Sequence, residues 1–258
     1  MSRNFCDLTD RVAVVIGGTS GLGRAAAVGL AEAGAHVIAT GRRENLVAEV
    51  AAEIEAQGRK TLRKTVDCAS RESLDALRDA VLAEFGRVDI LVNAAGKTAK
   101  RPTAEVPEAE WNDVIDTNLN GTMRSCQAFY EPLKATGRGK IVNFASLSSY
   151  VSFHQVAAYS VSKTAVLGLT RALGCEWSKN GICVNAVVPG VFPTQLNEKL
   201  LNGTERGREL IMRTPMGRFG KAQELVGAVV FLSSDSASFI TGQTIAVDGG
   251  FLASGVNT

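Results

Sequence analysis

The chain has 258 residues, 45% hydrophobic and 21% charged, enough to bury a sizeable core and with no stretch that reads as disordered. Its net charge of +2 is mixed along the sequence, so it offers no basic stripe for nucleic acid and no cationic face for a membrane, and small-molecule chemistry is the default. With no signal-like opening, no bilayer-length apolar run, five cysteines lacking CxxC spacing and two histidines, a cytoplasmic protein with buried thiols is expected and a catalytic zinc site is not.

Short apolar, β-branched runs recur in chain order as "VAVVIGG", "HVIAT", "KTLRKTV", "VDILVNAAG", "KIVNFAS", "ICVNAVVPG" and "QTIAVDGG". Longer Ala/Glu/Leu-rich stretches with helical periodicity separate most of them. About seven strands joined by helical crossovers predict a Rossmann-type, doubly wound α/β fold, a parallel sheet with helices on both faces. No Pro/Ser-rich joint divides the chain, so residues 1–258 are expected to form one domain. Ligands in such sheets bind beyond the carboxyl ends of the strands.

The first strand runs into "GGTSGLGRAAAVGLAEAGA", which places Gly17, Gly21 and Gly23 between strand and helix. One glycine permits the turn, one admits a pyrophosphate close to backbone, and one lets helix pack on strand. Thr19, Ser20 and Leu22 share this loop as candidate cofactor contacts. A tight turn without a ligand is the alternative. The second strand ends "HVIATGRREN", where sites preferring an unphosphorylated ribose carry an acid. Gly41, Arg42 and Arg43 stand there instead. A guanidinium can hold a 2′-phosphate that a carboxylate would repel, so NADP(H) is the favoured cofactor and NAD(H) an admissible one. Next, "VDCAS" brings Asp67, with Cys68 beside it, to where an adenine amine would lie. "VDILVNAAG" ends on Asn93, Ala94, Ala95 and Gly96, whose small side chains let backbone approach a flat ring. "KIVNFASLSSY" sets Ser146 just past the following strand, and "AYSVSKTA" puts Tyr159 and Lys163 on one helix face.

In this order the motifs resemble the short-chain dehydrogenase/reductase family of the compact, single-domain kind, from about residue 7 to the C-terminus. The resemblance matches the family's glycine loop to Gly17, Gly21 and Gly23 and its NAG turn to Asn93, Ala94, Ala95 and Gly96. It implies an active-site asparagine at Asn118 in "DTNLNG", a serine at Ser146 and a YxxxK pair at Tyr159 and Lys163. "VPG" at 188–190 and "PT" at 193–194 imply that Pro189, Gly190 and Thr194 lie beside the nicotinamide. Ile16 departs from the family's usual threonine and removes a hydroxyl that helps fix the loop. The overall pattern looks most like gluconate 5-dehydrogenases and related sugar-acid or polyol oxidoreductases. It implies a homotetramer, with helices around 108–135 and 157–179 and the C-terminal segment at its interfaces.

A phenol titrates near 10, and working near neutrality requires a shift worth roughly 4 kcal/mol. An ammonium at about 4 Å supplies a comparable amount at an effective dielectric of about 20, and the charge of oxidised nicotinamide would add to it. The expected division of labour follows. Ser146 bonds the substrate oxygen, Tyr159 exchanges its proton, Lys163 tunes Tyr159 and holds cofactor ribose, and Asn118 by resemblance anchors a connecting water. The segment 190–217 suits a substrate lid. Lys97, Lys100 and Arg101 are either carboxylate partners or a solvated charge run, and His154 and Gln155 either touch substrate or are structural. A 3-oxoacyl thioester reductase is the rival enzyme, and a non-catalytic NADP(H) sensor the rival of another class.

Overall fold

A computed structural model describes residues 5–194, 201 and 203–257 of the protein. Six of the seven apolar runs become strands: β1 (Val12–Ile16), β2 (His36–Thr40), β3 (Ile90–Asn93), β4 (Gly139–Phe144), β5 (Ile182–Pro189) and β6 (Thr244–Val247). They pair in parallel in the order β2-β1-β3-β4-β5-β6. The central strands are buried almost throughout because both of their faces are covered, and every residue of β1 is apolar and buried. The register puts Ile16, Asn93 and Asn143 in one row, so the loops leaving β1, β3 and β4 open at the same height. Strand order reverses between β1 and β3, the place beyond the strand ends where open sheets of this kind bind ligands.

The expected strand "KTLRKTV" is the correction: among the described residues it is extended chain beside β2 rather than a seventh strand. It keeps two backbone bonds to that edge, Val37 N–H to the Lys60 carbonyl (3.1 Å) and Val66 N–H to the Gly41 carbonyl (3.0 Å). Exposed Lys60, Arg63 and Lys64 hold it in water, where a one-sided ladder gains little from forming.

Helices α1 (Gly21–Glu32), α2 (Glu44–Ala56), α3 (Arg71–Phe85), α4 (Glu108–Ile115), α5 (Gly121–Ala128), α6 (Tyr130–Ala135), α7 (Ala157–Glu176), α8 (Glu205–Met212) and α9 (Gln223–Ser233) pack around the sheet. Leu30 of α1 and Val229 of α9 join one core cluster, whereas Leu74, Leu77 and Val81 of α3 join Phe129 and Leu133 in another. Local chemistry fixes the ends of α3: Ser70 accepts the Ser73 N–H, and Gly86 takes the left-handed C-cap at φ +69°. The helix expected around 108–135 is not continuous. A five-residue π turn, Asp116–Asn120, separates α4 from α5, and Phe129 separates α5 from α6. Among the described residues no helix is long and apolar enough to cross a membrane.

Candidate active site

The glycine loop is held by contacts that leave no room for side chains. Gly17 has φ +80°, and a Cβ there would lie 2.5 Å from the Ala95 nitrogen; one on Gly23 would lie 2.1 Å from the Gly17 carbonyl oxygen. The N–H groups of Gly17 and Gly18 both donate to the Thr40 carbonyl, at 2.9 and 3.0 Å. Those bonds to β2 fix the loop without the hydroxyl that Ile16 lacks; Ile16 itself is core. Helix α1 starts at Gly21 with no side-chain cap from Ser20 and no acid in its first turn. Its first amides and its dipole therefore face an open position suited to an anion. Thr194 closes over this point, its methyl 3.5 Å from a Cβ built on Gly21. A bare-backbone cradle beneath uncapped amides fits a dinucleotide pyrophosphate. Thr19 is buried in the loop, and Leu22 packs against the core cluster of α1 and α9.

At the end of β2, Arg43 Nη2 reaches Ser20 Oγ at 3.1 Å, which lays its guanidinium beside the glycine loop, and Arg42 is exposed next to it. Gly41 has a steric reason of its own: a Cβ there would sit 2.8 Å from Thr19 Oγ1. Asp67 is exposed and accepts the Ala69 N–H (3.0 Å). Cys68 turns inward, its sulfur 3.0 Å from a Cβ built on Gly121, so only its backbone edge is available to a ligand. Asn93 also turns inward. Its Nδ2 donates to Asn143 Oδ1 at 2.9 Å, which ties β3 to β4 and presents the strand end as the Ala94, Ala95 and Gly96 backbone. Gly190 donates to the Val247 carbonyl (2.8 Å), and its Cα approaches Asp248 so closely that a Cβ would lie 2.5 Å from the Asp248 Cα. Pro189 ends β5 at the same level.

The chemistry-bearing side chains converge next to this cradle. Asn118 lies in the π turn with no exposed surface. Its Oδ1 accepts the Lys97 N–H (2.9 Å), and its Nδ2 donates to the Lys97 carbonyl (2.9 Å) and to Ser162 Oγ (3.0 Å). A π turn is what lets one helical residue swing its amide onto a neighbouring loop. Ser162 passes the link on by donating to the Tyr159 carbonyl (2.7 Å). This positioning serine is visible in "YSVSK", yet a serine before a lysine reads as a solvated side chain until the fold buries it. Lys163 Nζ donates to the Phe144 carbonyl at 2.7 Å and stands 5.9 Å from the Tyr159 ring centroid. Gly96 fits between these groups: a Cβ on it would be 3.4 Å from both Asn118 Oδ1 and Lys163 Nζ. Ser146 is half-buried at the start of a short 3-10 turn, and its Oγ accepts the Ser148 N–H (3.2 Å).

Burial governs the titration of the pair. It raises the Tyr159 phenol above its usual value, with the Ser146 hydroxyl acting in the lowering direction. It also lowers the Lys163 ammonium to about 8, opposed by the nearby Cys68. Lys163 also has a partner that helix spacing does not show. The ammonium donates to a backbone carbonyl, and burial is the largest influence on the phenol.

Around the mouth, Lys97 pairs with Asp113, and Arg101 pairs with Glu110 at 3.3 Å. Lys100 is exposed and has no acidic partner among the described residues. His154 is exposed on the loop between Ser146 and Tyr159. Within the expected lid at 190–217, residues 195–200 and 202 lie outside the described residues. The described part carries α8, capped by Thr204, which accepts the Gly207 N–H (2.9 Å). Leu201 and Leu210 of that part pack with Leu147 and Phe251, beside the Ser146 loop. Among the described residues no group of His, Cys, Asp and Glu could hold a metal.

A family model described as "Enoyl-(Acyl carrier protein) reductase" matches residues 17–252. The chain is 39% identical to the 2-dehydro-3-deoxy-D-gluconate 5-dehydrogenase of Escherichia coli (strain K12), over 95% of this chain and 97% of that one. It is 36% identical to a 3-oxoacyl-[acyl-carrier-protein] reductase of the same organism, over 93% of this chain and 96% of that one. Among solved structures it superposes with a TM-score of 0.94 and 34% identity on a gluconate 5-dehydrogenase from Burkholderia cenocepacia J2315 in complex with NADP and tartrate. That match covers 98% of this chain and 99% of the other.

Proposed function

The chain belongs to the short-chain dehydrogenase/reductase family and is an NAD(P)-dependent oxidoreductase of alcohol and keto groups; from that premise we propose that it interconverts a sugar acid or polyol and the corresponding ketone, with NADP(H) preferred. The observation that carries the reading is the convergence of Ser146, Tyr159, Lys163 and Asn118 beside a bare-backbone cradle on the loops after β1, β3 and β4. Bound NADP(H) supplies or accepts the hydride. Gly17, Gly21 and Gly23 would hold its pyrophosphate, Arg42 and Arg43 its 2′-phosphate, Asp67 its adenine and Lys163 its ribose, with Pro189, Gly190 and Thr194 beside the nicotinamide.

Ser146 Oγ holds the substrate oxygen, and Tyr159 is the general acid/base that moves a proton between its own oxygen and that one. Lys163, fixed on Phe144, keeps positive charge near the phenol, and the Asn118–Ser162 link fixes the helix turn that carries both. The sugar-acid relative and the tartrate-containing neighbour support a hydroxylated acid as substrate. Lys100 is the residue to receive its carboxylate, because Lys97 and Arg101 are already neutralised by Asp113 and Glu110. The same internal pairing weakens the thioester reading, which needs free basic residues at the mouth to dock an acidic carrier. Exposed Val161 on α7 and Tyr150 near it support a further copy of the chain on that face, in keeping with a homotetramer of single-domain subunits.

The test is absorbance at 340 nm with NADPH and NADH against keto-acids, ketoses and an acetoacetyl thioester. Consumption of NADPH with a keto sugar acid is expected. Turnover of the thioester alone would replace this reading with its rival, and binding without consumption would make the protein a sensor. Tyr159→Phe is expected to bind NADPH normally and to lose about 10²–10⁴-fold in kcat. Near-normal kcat in that variant would remove Tyr159 from the proton transfer.

A further inference from the structure

The loop from Ser146 to Tyr159 contains a turn at His154 and Gln155, and Gln155 has φ +66°. Left-handed backbone crowds a Cβ, so such a position ordinarily selects glycine or asparagine. Among the described residues only Asp10 and Gln155 adopt it without being glycine, and aspartate tolerates it far better than glutamine. The fold does not require a glutamine here. Its carbonyl accepts the Arg101 N–H at 2.8 Å, a bond that any residue's backbone would make. Its side chain is exposed, and the carboxamide has no hydrogen-bond partner among the described residues.

The position of that strain is informative. The Arg101–Gln155 bond joins the loop after β3 to the loop after β4, the two walls that carry Lys100 and the Ser146/Tyr159 pair. A strained residue whose side chain does nothing for the fold, set at the mouth of a catalytic cleft, marks a place where ligand binding outweighs local stability. Resting on the sugar-acid or polyol reading, we propose that Gln155 is a specificity-determining residue whose carboxamide binds the hydroxyl groups of a polyhydroxylated substrate. A carboxamide donates through nitrogen and accepts through oxygen, which matches two neighbouring hydroxyls. With Lys97 and Arg101 engaged by acids, it also faces the loop of exposed Lys100, to which the Arg101–Gln155 backbone bond ties it.

The experiment compares the wild type with Gln155→Gly and Gln155→Asn. It reads the melting temperature of the cofactor-free protein, and kcat and KM for gluconate, xylitol and butan-2-ol, the last an alcohol without further hydroxyls. Gln155→Gly is expected to melt higher, because it relieves the turn. It is expected to raise KM for gluconate and xylitol about tenfold, with kcat kept and butan-2-ol kinetics unchanged. Gln155→Asn, which accepts the same φ and keeps a carboxamide, is expected to recover part of the KM. A glycine variant that melts no higher, or whose KM for the hydroxylated substrates stays at the wild-type value, overturns the proposal. So does an equal loss on butan-2-ol. A wild-type enzyme that turns over butan-2-ol but neither hydroxylated substrate sinks the substrate class itself, and this proposal with it, before any variant is compared.

Discussion

Lys163 is expected to destabilise the protein it serves, and replacing it with methionine tests this. The side chain is 5% exposed, and burial takes its ammonium from 10.5 to about 8. At pH 7 the charged form therefore costs the folded state about 3 kcal/mol relative to the unfolded chain. Below pH 8 both states carry the proton and the whole penalty stands. Between about 8 and 10.5 the unfolded chain keeps a proton that the folded protein has shed, so wild-type stability rises with pH across that window. Lys163→Met keeps the length of the side chain and removes the charge. It also strips the Phe144 carbonyl of its 2.7 Å donor, at a cost of about 1–2 kcal/mol. The net gain at pH 7 is about 1–2 kcal/mol, or about 2–8 °C in melting temperature for a chain of this size. Thermal unfolding of both cofactor-free proteins, followed by circular dichroism at pH 7 and pH 10, reads the effect. The variant is expected to melt higher at pH 7, to lose that lead at pH 10, and to be catalytically dead. A variant that melts lower at pH 7, or whose difference from wild type is the same at both pH values, would refute the account of Lys163 as a buried ammonium kept for function.

Arg43→Glu is expected to raise the Kd for NADPH by about 10–100-fold and that for NADH by no more than about threefold, measured by fluorescence titration. Equal weakening of both would remove Arg43 from 2′-phosphate recognition. Gly41→Asp is a poorer probe of the same question, because its Cβ must first displace Thr19. Lys100→Gln is expected to raise KM for gluconate about tenfold and to leave that for xylitol alone, whereas Arg101→Gln changes neither because Glu110 already holds that guanidinium. The opposite ranking in steady-state kinetics would move the carboxylate contact to Arg101.

The sequence was most legible where burial is complete. Parallel strands covered on both faces are continuous apolar runs, and six such runs became strands. The segment at 60–66 carries the same β-branched signal but lies at the sheet edge, where forming a ladder depends on one neighbour and on solvent that periodicity cannot report. The stretch 108–135 has helical periodicity throughout, yet that pattern is blind to the wider turn that aims Asn118 at Lys97. Spacing placed Tyr159 and Lys163 on one face, but the partner that fixes Lys163 is a carbonyl from another strand. Likewise "KTAKRPT" shows three cations alike, and only the fold spends two of them on Asp113 and Glu110.

What spacing does not report at these positions has a shared physical origin. Asn118 buried in a π turn, Lys163 as a buried cation and Gln155 at φ +66° each oppose what local chemistry would choose for stability, and Gly17 at φ +80° is open to no bulkier residue. Motif spacing can mark where such residues stand. Their cost is set by tertiary surroundings, by a missing Cβ, a dry ammonium or a crowded turn, and a folded chain retains that cost only where another free energy, such as that of a bound ligand, offsets it. The four lie on the loops and helix turns beyond the carboxyl ends of β1, β3 and β4. Cost alone does not mark a site, because Lys140 is as buried and Asp10 as left-handed elsewhere in the fold; what sets these four apart is that they gather around one bare-backbone cradle, where a bound ligand can offset what each costs.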